Sequence, residues 1–229
     1  MTSESPHGAA VKRLVRRAQR GDAGAFESLA RSCGTTLYRV AASCLGNQEA
    51  DVADAIQETL VAAWRNIGSL EQPRYFKTWL IRICINACRQ VQRRRRATVP
   101  LDSVGEERLD ASLRAAGRVD ETTRAAAAAE ANAAFGRLVD AAGEAYALVI
   151  TLYYGEGYST AEIAELLSMS PEAVRQRLFR GRARIKRALA ENPALAHPVD
   201  HEGPARAVGH PSRPRAPDGE GLMQATAPA

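Results

Sequence analysis

The sequence predicts an all-α protein made of two small helical domains joined by a flexible linker, the second carrying a helix-turn-helix. Apolar residues recur at spacings of three and four through residues 10–96 and again through 135–190, and no alternating strand pattern of useful length occurs anywhere. Charge divides the chain at the same places. Residues 12–96 hold 16 Lys+Arg against 7 Asp+Glu, residues 97–132 hold 4 against 7, and residues 133–192 hold 8 against 7, with nearly all of their positive charge after Arg175. Two basic patches separated by an acidic connector suit a nucleic-acid binder with two points of contact. The 229 residues, 45% of them hydrophobic, are enough for a packed core in either half.

The first domain is placed at 10–97. Asp22 precedes an apolar run with Phe26, Leu29, Leu37, Val40 and Leu45, which Gly46-Asn47 ends as a left-handed cap. A helix from about Glu49 to Ile67 follows, with Ala53, Ile56, Leu60, Trp64 and Ile67 on one side and Asp51, Asp54 and Glu58 on the other. Gly68 to Gln72 reads as a turn and Pro73 as the opening of a third helix, whose apolar stripe is Phe76, Leu80, Ile83, Ala87 and Val91. Opposite that stripe Thr78, Arg82, Asn86, Arg89 and Arg93 share a face, which Arg93 to Arg96 extend.

Residues 98–130, with acids, Pro100, Gly105 and Gly117, read as a linker, although the run Ala125 to Ala129 at its end favours helix intrinsically and suits the beginning of the second domain. The second domain is placed at 131–192. The remaining 37 residues, 193–229, contain 7 of the 11 prolines and few bulky apolar groups, the composition of a disordered tail.

The second domain holds the sharper motif. Ser159-Thr-Ala-Glu162 fits a capping box at the start of a short helix through Leu167. Ser168-Met169-Ser170 is then a three-residue turn, Ser170 can cap, and Pro171 stands at the first helical position, where its missing N–H costs nothing. Two short helices joined in this way make a helix-turn-helix. Val174, Leu178, Ile185 and Leu189 form a narrow inner seam on the second of them, which leaves Arg175, Gln176, Phe179, Arg180 and Arg182 facing out. Arg and Gln can pair bidentately with guanine and adenine edges, whereas Arg184, Lys186 and Arg187, further along, suit phosphates. A solvated basic helix face is the competing reading, but a charge run on the second helix of a well-capped pair favours DNA.

Tyr75, Phe76 and Trp79 gather beside the basic face of the third helix. Aromatics beside a basic track suit single-stranded nucleic acid, though Phe76 and Trp79 fall on or next to the apolar stripe and read better as core. The acidic stripe suggests either a basic protein partner or an ordinary solvated face. Carboxylates at that spacing could also serve a metal or acid–base chemistry, but no histidine lies between Gly8 and Ala196. Cys84 and Cys88 are four apart with no further Cys or His to complete a metal site, so core packing is the better reading for them. With no metal cluster, cofactor motif or nucleotide loop in view, an enzyme is the least supported class. No segment approaches ~18 consecutive apolar residues and no signal peptide is evident, so a cytoplasmic protein without membrane insertion is expected.

The stretches "DVADAIQETLVAAW" (Asp51 to Trp64), "YFKTWLIRICINACRQVQRRRR" (Tyr75 to Arg96) and "GYSTAEIAELLSMSPEAVRQRLFRGRARIKR" (Gly157 to Arg187) together resemble the sigma-70 family of bacterial RNA polymerase sigma factors. The resemblance is closest to the small extracytoplasmic-function (ECF) group, which keeps only the domains that bind the −10 and −35 promoter elements. It implies that Asp51, Asp54, Gln57 and Glu58 grip the β′ clamp helices of core RNA polymerase, with the β subunit as a further contact. It also implies that the turn from Gly68 to Tyr75 captures a flipped −10 base. Arg74, Tyr75, Arg82, Asn86, Arg89 and Arg93 would then lie along the −10 element and its non-template strand, and Arg175, Gln176, Phe179, Arg180, Arg182 and Arg184 would meet the −35 element.

The implied partners are core polymerase, promoter DNA and an anti-sigma factor, and the implied function is promoter-directed initiation without catalysis or cofactor. Two features depart from the family pattern. Val139-Asp140 stands near the place of a usual Leu-Pro pair, and Gln176 stands where Ser is common. The rival reading is a dimeric helix-turn-helix regulator that binds duplex DNA without joining the polymerase.

Overall fold

A computed structural model describes residues 6–46, 48–98 and 122–196, and among these every regular element is helical. α1 (Pro6–Ala18) turns back at Gly21, whose φ of 89° lies in the left-handed region that glycine reaches without strain, and packs against α2 (Ala23–Ser32). Asp22 caps α2, accepting 2.9 Å from the Ala25 backbone N–H and pairing with Arg17 at 2.7 Å. These two contacts, the backbone donor first, hold its carboxyl below the ordinary carboxylate range.

The apolar run expected to continue to Leu45 is two helices. It breaks at Cys33 (φ −103°, ψ 0°), and α3 (Gly34–Leu45) restarts from Gly34 and ends at Gly46, where φ is 67°. Ser32 marks the break by donating its hydroxyl to the Leu29 carbonyl at 2.7 Å, a local bond that competes with helix continuation.

α4 (Glu49–Asn66) differs from expectation in the face it buries. The deepest positions are Val52, Ala55, Thr59 and Ala63, while Ala53 is exposed and Ile56, Leu60 and Trp64 lie along the rim. Small residues line the contact because α4 lies close against α5 (Phe76–Thr98); the bulky residues that dominate a periodicity reading are displaced to the edge. Thr59 satisfies its buried hydroxyl within the helix, donating to the Ala55 carbonyl at 2.6 Å. Trp64 packs edge-on against Phe26 with ring centroids 5.1 Å apart.

α5 is the axis of this half. Two short 3-10 turns, Ile67–Ser69 and Pro73–Tyr75, lead into it, with Pro73 opening the second. The expected stripe of Phe76, Leu80, Ile83, Ala87 and Val91 is buried, and so are Trp79, Ile81, Cys84, Ile85 and Cys88. α3 and α4 therefore enclose α5 on more than one side. The core reading of Phe76 and Trp79 holds, since both rings are buried and stand 6.0 Å apart.

All four cysteines are free thiols, and Cys33, Cys84 and Cys88 are buried. Cys44, Cys88 and Cys84 form a chain of thiol contacts. Contact with Cys88, then burial, raises the Cys84 thiol; contact with Cys44 raises Cys88; and burial raises Cys33.

The second half opens with the alanine-rich run. α6 (Thr122–Ala142) takes in the Ala125–Ala129 run and the end of the expected linker, while residues 99–121 lie outside the described set. Gly143 (φ 83°) separates it from α7 (Glu144–Ile150), which runs into a π turn at Thr151–Gly155. α8 (Thr160–Leu167) and α9 (Pro171–Glu191) follow, and a 3-10 turn, Pro193–Ala196, packs back on α6 and α9. The expected disordered tail therefore contributes its first four residues to the domain, and 197–229 lie outside the described residues.

Gly181, buried on α9, is where α7 crosses closest: a Cβ there would stand 3.1 Å from Ile150 and Tyr146 side-chain atoms. Gly181→Val is expected to lower the stability of the C-terminal domain by about 1–3 kcal/mol through overpacking, read from the denaturant midpoint. In a thiol-reagent titration of the native protein at neutral pH, Cys44 should react first, and Cys33, Cys84 and Cys88 only on addition of denaturant.

Candidate nucleic-acid interface

Two basic surfaces are built, one in each half. In the first, the turn ahead of α5 is held from behind by the residue that follows α1: Gln19 Nε2 donates to the carbonyls of Ile67 (3.1 Å) and Leu70 (2.8 Å). Leu70 and Pro73 are buried, which fixes the turn at both ends and leaves Arg74 exposed with its guanidinium 4.7 Å from the Tyr75 ring centroid. Arg74 Nε also donates to Gln72 Oε1 at 3.0 Å.

The helical face follows as the spacing dictates, with Thr78, Arg82 and Asn86 half-buried and Arg89 and Arg93 exposed. Its expected extension is altered. Arg94 Nη2 pairs with Glu58 Oε1 at 2.7 Å, and Arg95 pairs with Asp51 and donates to Gln48 Oε1 at 2.8 Å, so both arginines turn toward α4. The side chain of Arg96 lies outside the described residues. These contacts divide the acidic stripe: Asp51 and Glu58 are half-buried in ion pairs with α5, whereas Asp54 and Gln57 are exposed.

The second surface is α9. The capping box is complete, since Ser159 Oγ accepts from the Glu162 N–H at 3.2 Å and Glu162 Oε2 accepts from the Ser159 N–H at 2.8 Å. Ser168 takes the left-handed conformation (φ 54°) that ends α8, and Ser170 Oγ accepts from the Ala173 N–H at 3.1 Å to start α9. Val174 and Leu178 are buried, with Gly181 between them and the half-buried Ile185 and Leu189. Arg175, Gln176, Phe179, Arg180, Arg182 and Arg184 are all exposed, as the seam requires. Phe179 is 69% exposed, more than any other large apolar side chain described, which excludes a role in the core. Arg175 pairs with Glu172 and Arg182 Nε donates to the Leu178 carbonyl at 3.2 Å, contacts that hold both side chains along the helix surface.

The two surfaces meet. A cleft of about 820 Å3 is lined on one side by Ser43, Cys44, Arg89 and Gln92 and on the other by Gln176, Arg177 and Arg180. Beside it the halves are joined through residues that periodicity did not single out. Glu156, in the turn after α7, has a side chain only 2% exposed, yet its polar partners all come from the other half: Lys77 Nζ at 2.8 Å, Thr36 Oγ1 at 2.7 Å and Arg39 Nη1 at 3.4 Å. Arg39 also donates to Asn132 Oδ1 and lies 5.6 Å from the Phe135 ring centroid. Ser43 and Thr151, both buried, have their hydroxyls 2.8 Å apart, and Thr78 Oγ1 lies 3.1 Å from the Tyr158 hydroxyl. The one sequence-level hint was an acid set between two glycines, Gly155-Glu156-Gly157, which reads as an ordinary turn.

Residues 29–98 match the family described as Sigma-70 region 2, and residues 144–185 match Sigma-70, region 4. The RNA polymerase sigma factor NccH of Alcaligenes xylosoxydans is 32% identical over 177 residues, covering 77% of this chain and 92% of the relative. The ECF RNA polymerase sigma factor SigM of Mycobacterium tuberculosis is 32% identical over 171 residues, covering 74% of this chain and 79% of the relative. Among solved structures, CnrH in complex with the cytosolic domain of CnrY is 28% identical with a TM-score of 0.51, covering 80% of this chain and 99% of that one. The sigma factor RpoE of Bartonella quintana in complex with the anti-sigma factor NepR has a TM-score of 0.55 at 22% identity, covering 73% of this chain and 98% of that one, a likeness of fold.

The geometry separates surface from seam on α9. Phe179→Ala should leave stability within about 0.5 kcal/mol of the parent, whereas Leu178→Ala should cost about 2–5 kcal/mol, both measured by denaturant unfolding.

Proposed function

Because the chain belongs to the sigma-70 family of RNA polymerase sigma factors, in its ECF group, we propose that it joins core RNA polymerase and directs promoter-specific initiation through −10 and −35 recognition and −10 melting. The observation that carries this reading is the pairing of two basic surfaces of different character on one chain. One is a buttressed turn and half-buried helical face suited to an unpaired strand; the other is a capped helix-turn-helix suited to a major groove.

On α9, Arg175, Gln176 and Arg180 present donor groups near the helix start, with Phe179 available for an apolar contact such as a thymine methyl; Arg182 and Arg184 lie further along, toward phosphate. On the other half, a base leaving the −10 duplex enters the turn from Gly68 to Tyr75. Arg74, with Tyr75 beneath its guanidinium, meets it there, and Arg82, Asn86, Arg89 and Arg93 follow the strand. Opening requires no reaction. A base bound only when unpaired lowers the free energy of the open state by the differential affinity, against a cost of a few kcal/mol for unstacking.

Asp54 and Gln57, exposed on α4, meet the β′ clamp helices together with Asp51 and Glu58, whose pairs with Arg95 and Arg94 exchange for basic groups of the polymerase. The Arg94–Glu58 pair, the more exposed of the two, is of a kind that contributes about 0–1 kcal/mol, so its exchange is inexpensive. The β subunit is a further contact. No described helix is long and apolar enough to cross a membrane, and the site of action is with the polymerase in the cytoplasm. An anti-sigma factor is the expected antagonist: the structural neighbour CnrH is in complex with the cytosolic domain of CnrY, and RpoE of Bartonella quintana with the anti-sigma factor NepR.

Mixed with core polymerase, the purified protein should give transcripts with defined starts on fragmented genomic DNA; the absence of any transcript would refute the proposal. Asp54→Ala combined with Glu58→Ala should weaken core binding in a pull-down while leaving duplex binding by the free protein unchanged. Arg180→Ala should cost about 1–3 kcal/mol on the cognate −35 sequence and little on altered bases, whereas Arg184→Ala should weaken all sequences alike and lower the salt slope by about 1.

A further inference from the structure

We infer that Cys44 and Cys88 form an oxidisable dithiol, in which Cys44 reacts with a hydroperoxide and Cys88 closes the product to a disulfide that ties α3 to α5. The inference stands on the geometry of the N-terminal half and holds whether or not the proposed function does.

The last turn of α3 lies over α5. Gln92 Nε2 donates to the Cys44 carbonyl at 2.6 Å, which sets Cys44 above the turn of α5 that runs from Cys88 to Gln92. The two thiols touch there, and both line the cleft of about 820 Å3. They differ in access: Cys44 is half-buried, whereas Cys88 is 1% exposed and Cys84, behind it, 0%. Reactive cysteines are partly exposed and flanked by cations. Arg89, Arg177 and Arg180 line the same cleft as Cys44, against a single acid, Glu144. Among the described residues no group of three or more His, Cys, Asp and Glu is placed to hold a metal ion, so the three thiols are not arranged as a metal centre.

The thiols touch in series, Cys44 to Cys88 to Cys84, but one pair is suited to close. Cys84 and Cys88 are four apart on a single helix, where Cβ atoms stand about 5–6 Å apart, beyond the roughly 3.5–4.5 Å that a disulfide spans. Closing that pair would break α5. The Cys84 thiol is also engaged, donating to the Leu37 carbonyl at 3.9 Å. Cys44 and Cys88 lie on different helices, and α3 ends at Gly46, two residues beyond Cys44, so a small shift of its last turn brings the sulfurs together. Contact with Cys44 holds the Cys88 thiol protonated, and its burial keeps a reagent from solvent away. The oxidant therefore meets Cys44, and Cys88 acts only on the sulfur beside it.

The chemistry balances with one hydroperoxide. Cys44 loses its proton and its sulfur attacks the peroxide oxygen; the O–O bond breaks, Cys44 becomes a sulfenic acid, and water leaves. The Cys88 sulfur then attacks the Cys44 sulfur, its proton goes to the departing hydroxyl, and a second water leaves. Two electrons have passed from the thiol pair to the peroxide. A second thiol in contact is what directs a sulfenic acid to a disulfide before further oxidation. The bond closes beside Arg89, behind the basic face of α5 and outside it.

The test uses the reduced full-length chain, freed of reductant, treated with hydrogen peroxide and then alkylated in denaturant. Mass spectrometry should find two of the four thiols lost and one intramolecular Cys44–Cys88 link, reversed by dithiothreitol, with Cys33 and Cys84 recovered alkylated. Cys44→Ser should slow thiol loss about ten-fold or more, because it removes the thiol that the oxidant reaches. Cys88→Ser should leave a Cys44 sulfenic acid that a cyclic 1,3-dione traps about ten-fold more than in the parent, and Cys84→Ala should leave the link in place. Circular dichroism checks that each variant is folded, and the mapping in the parent chain decides the matter even if one is not. No loss of thiol, a main product linking Cys44 to Cys84 or joining two chains, a Cys44 sulfenic acid that persists in the parent, or thiol loss indifferent to Cys44→Ser would each overturn the inference.

Discussion

The N-terminal half depends on the burial of α5. A helix that must place Phe76, Trp79, Leu80, Ile81, Ile83, Cys84 and Ile85 out of water within its first three turns needs neighbours on several sides, and α3 and α4 supply them. That demand explains why α4 turns its small residues inward and why Cys33 and Gly34 bend the preceding chain so that α3 can lie across α5. It also explains why the polar residues of α5 are confined to one narrow face. The basic face is what remains once the core has taken the other positions. Its rigidity follows from the same packing, since residues anchored at i and i+4 by a dense core cannot shift register.

The C-terminal half is held differently. Its core is smaller and its order comes largely from local devices: a complete capping box, a left-handed Ser168, a Ser170 cap and Pro171 at the first position of α9. Each removes a local alternative, and together they fix the angle at which α9 leaves α8. Gly181 then lets α7 approach α9 closely enough to bury the seam. The exposed edge of α9 is left free to vary its side chains without touching stability.

Where the halves meet, the chemistry changes again. The junction has at its centre a buried carboxylate, two cations and several hydroxyls, set beside an apolar core whose buried residues run through both halves. Apolar interfaces reward burial in proportion to area and resist opening, whereas polar ones exchange their bonds for water at small net cost.

Much of this was legible in the sequence. The all-α class, the α5 stripe, the capping box, the turn and the exposure of Phe179 followed from period and cap chemistry, because each depends on residues within a few positions of one another. The acids and the arginines of the two surfaces were found from charge distribution and spacing, which again are local. The errors had a common cause. The sequence suggested one helix through Cys33, a bulky inner face for α4 and an uninterrupted basic run to Arg96. Each depended on what neighbouring elements demanded: close approach by α5 selected small residues on α4, and the acids of α4 drew Arg94 and Arg95 away from the basic face. The contacts of Glu156 lay furthest from local signals, since it meets residues about 80 to 120 positions away in sequence. Period, caps and charge thus determined the elements and the character of each surface, because those properties are written within a few turns of chain. Only the tertiary structure decided which faces are shared, paired or hidden, because these depend on the approach of segments that the sequence keeps far apart.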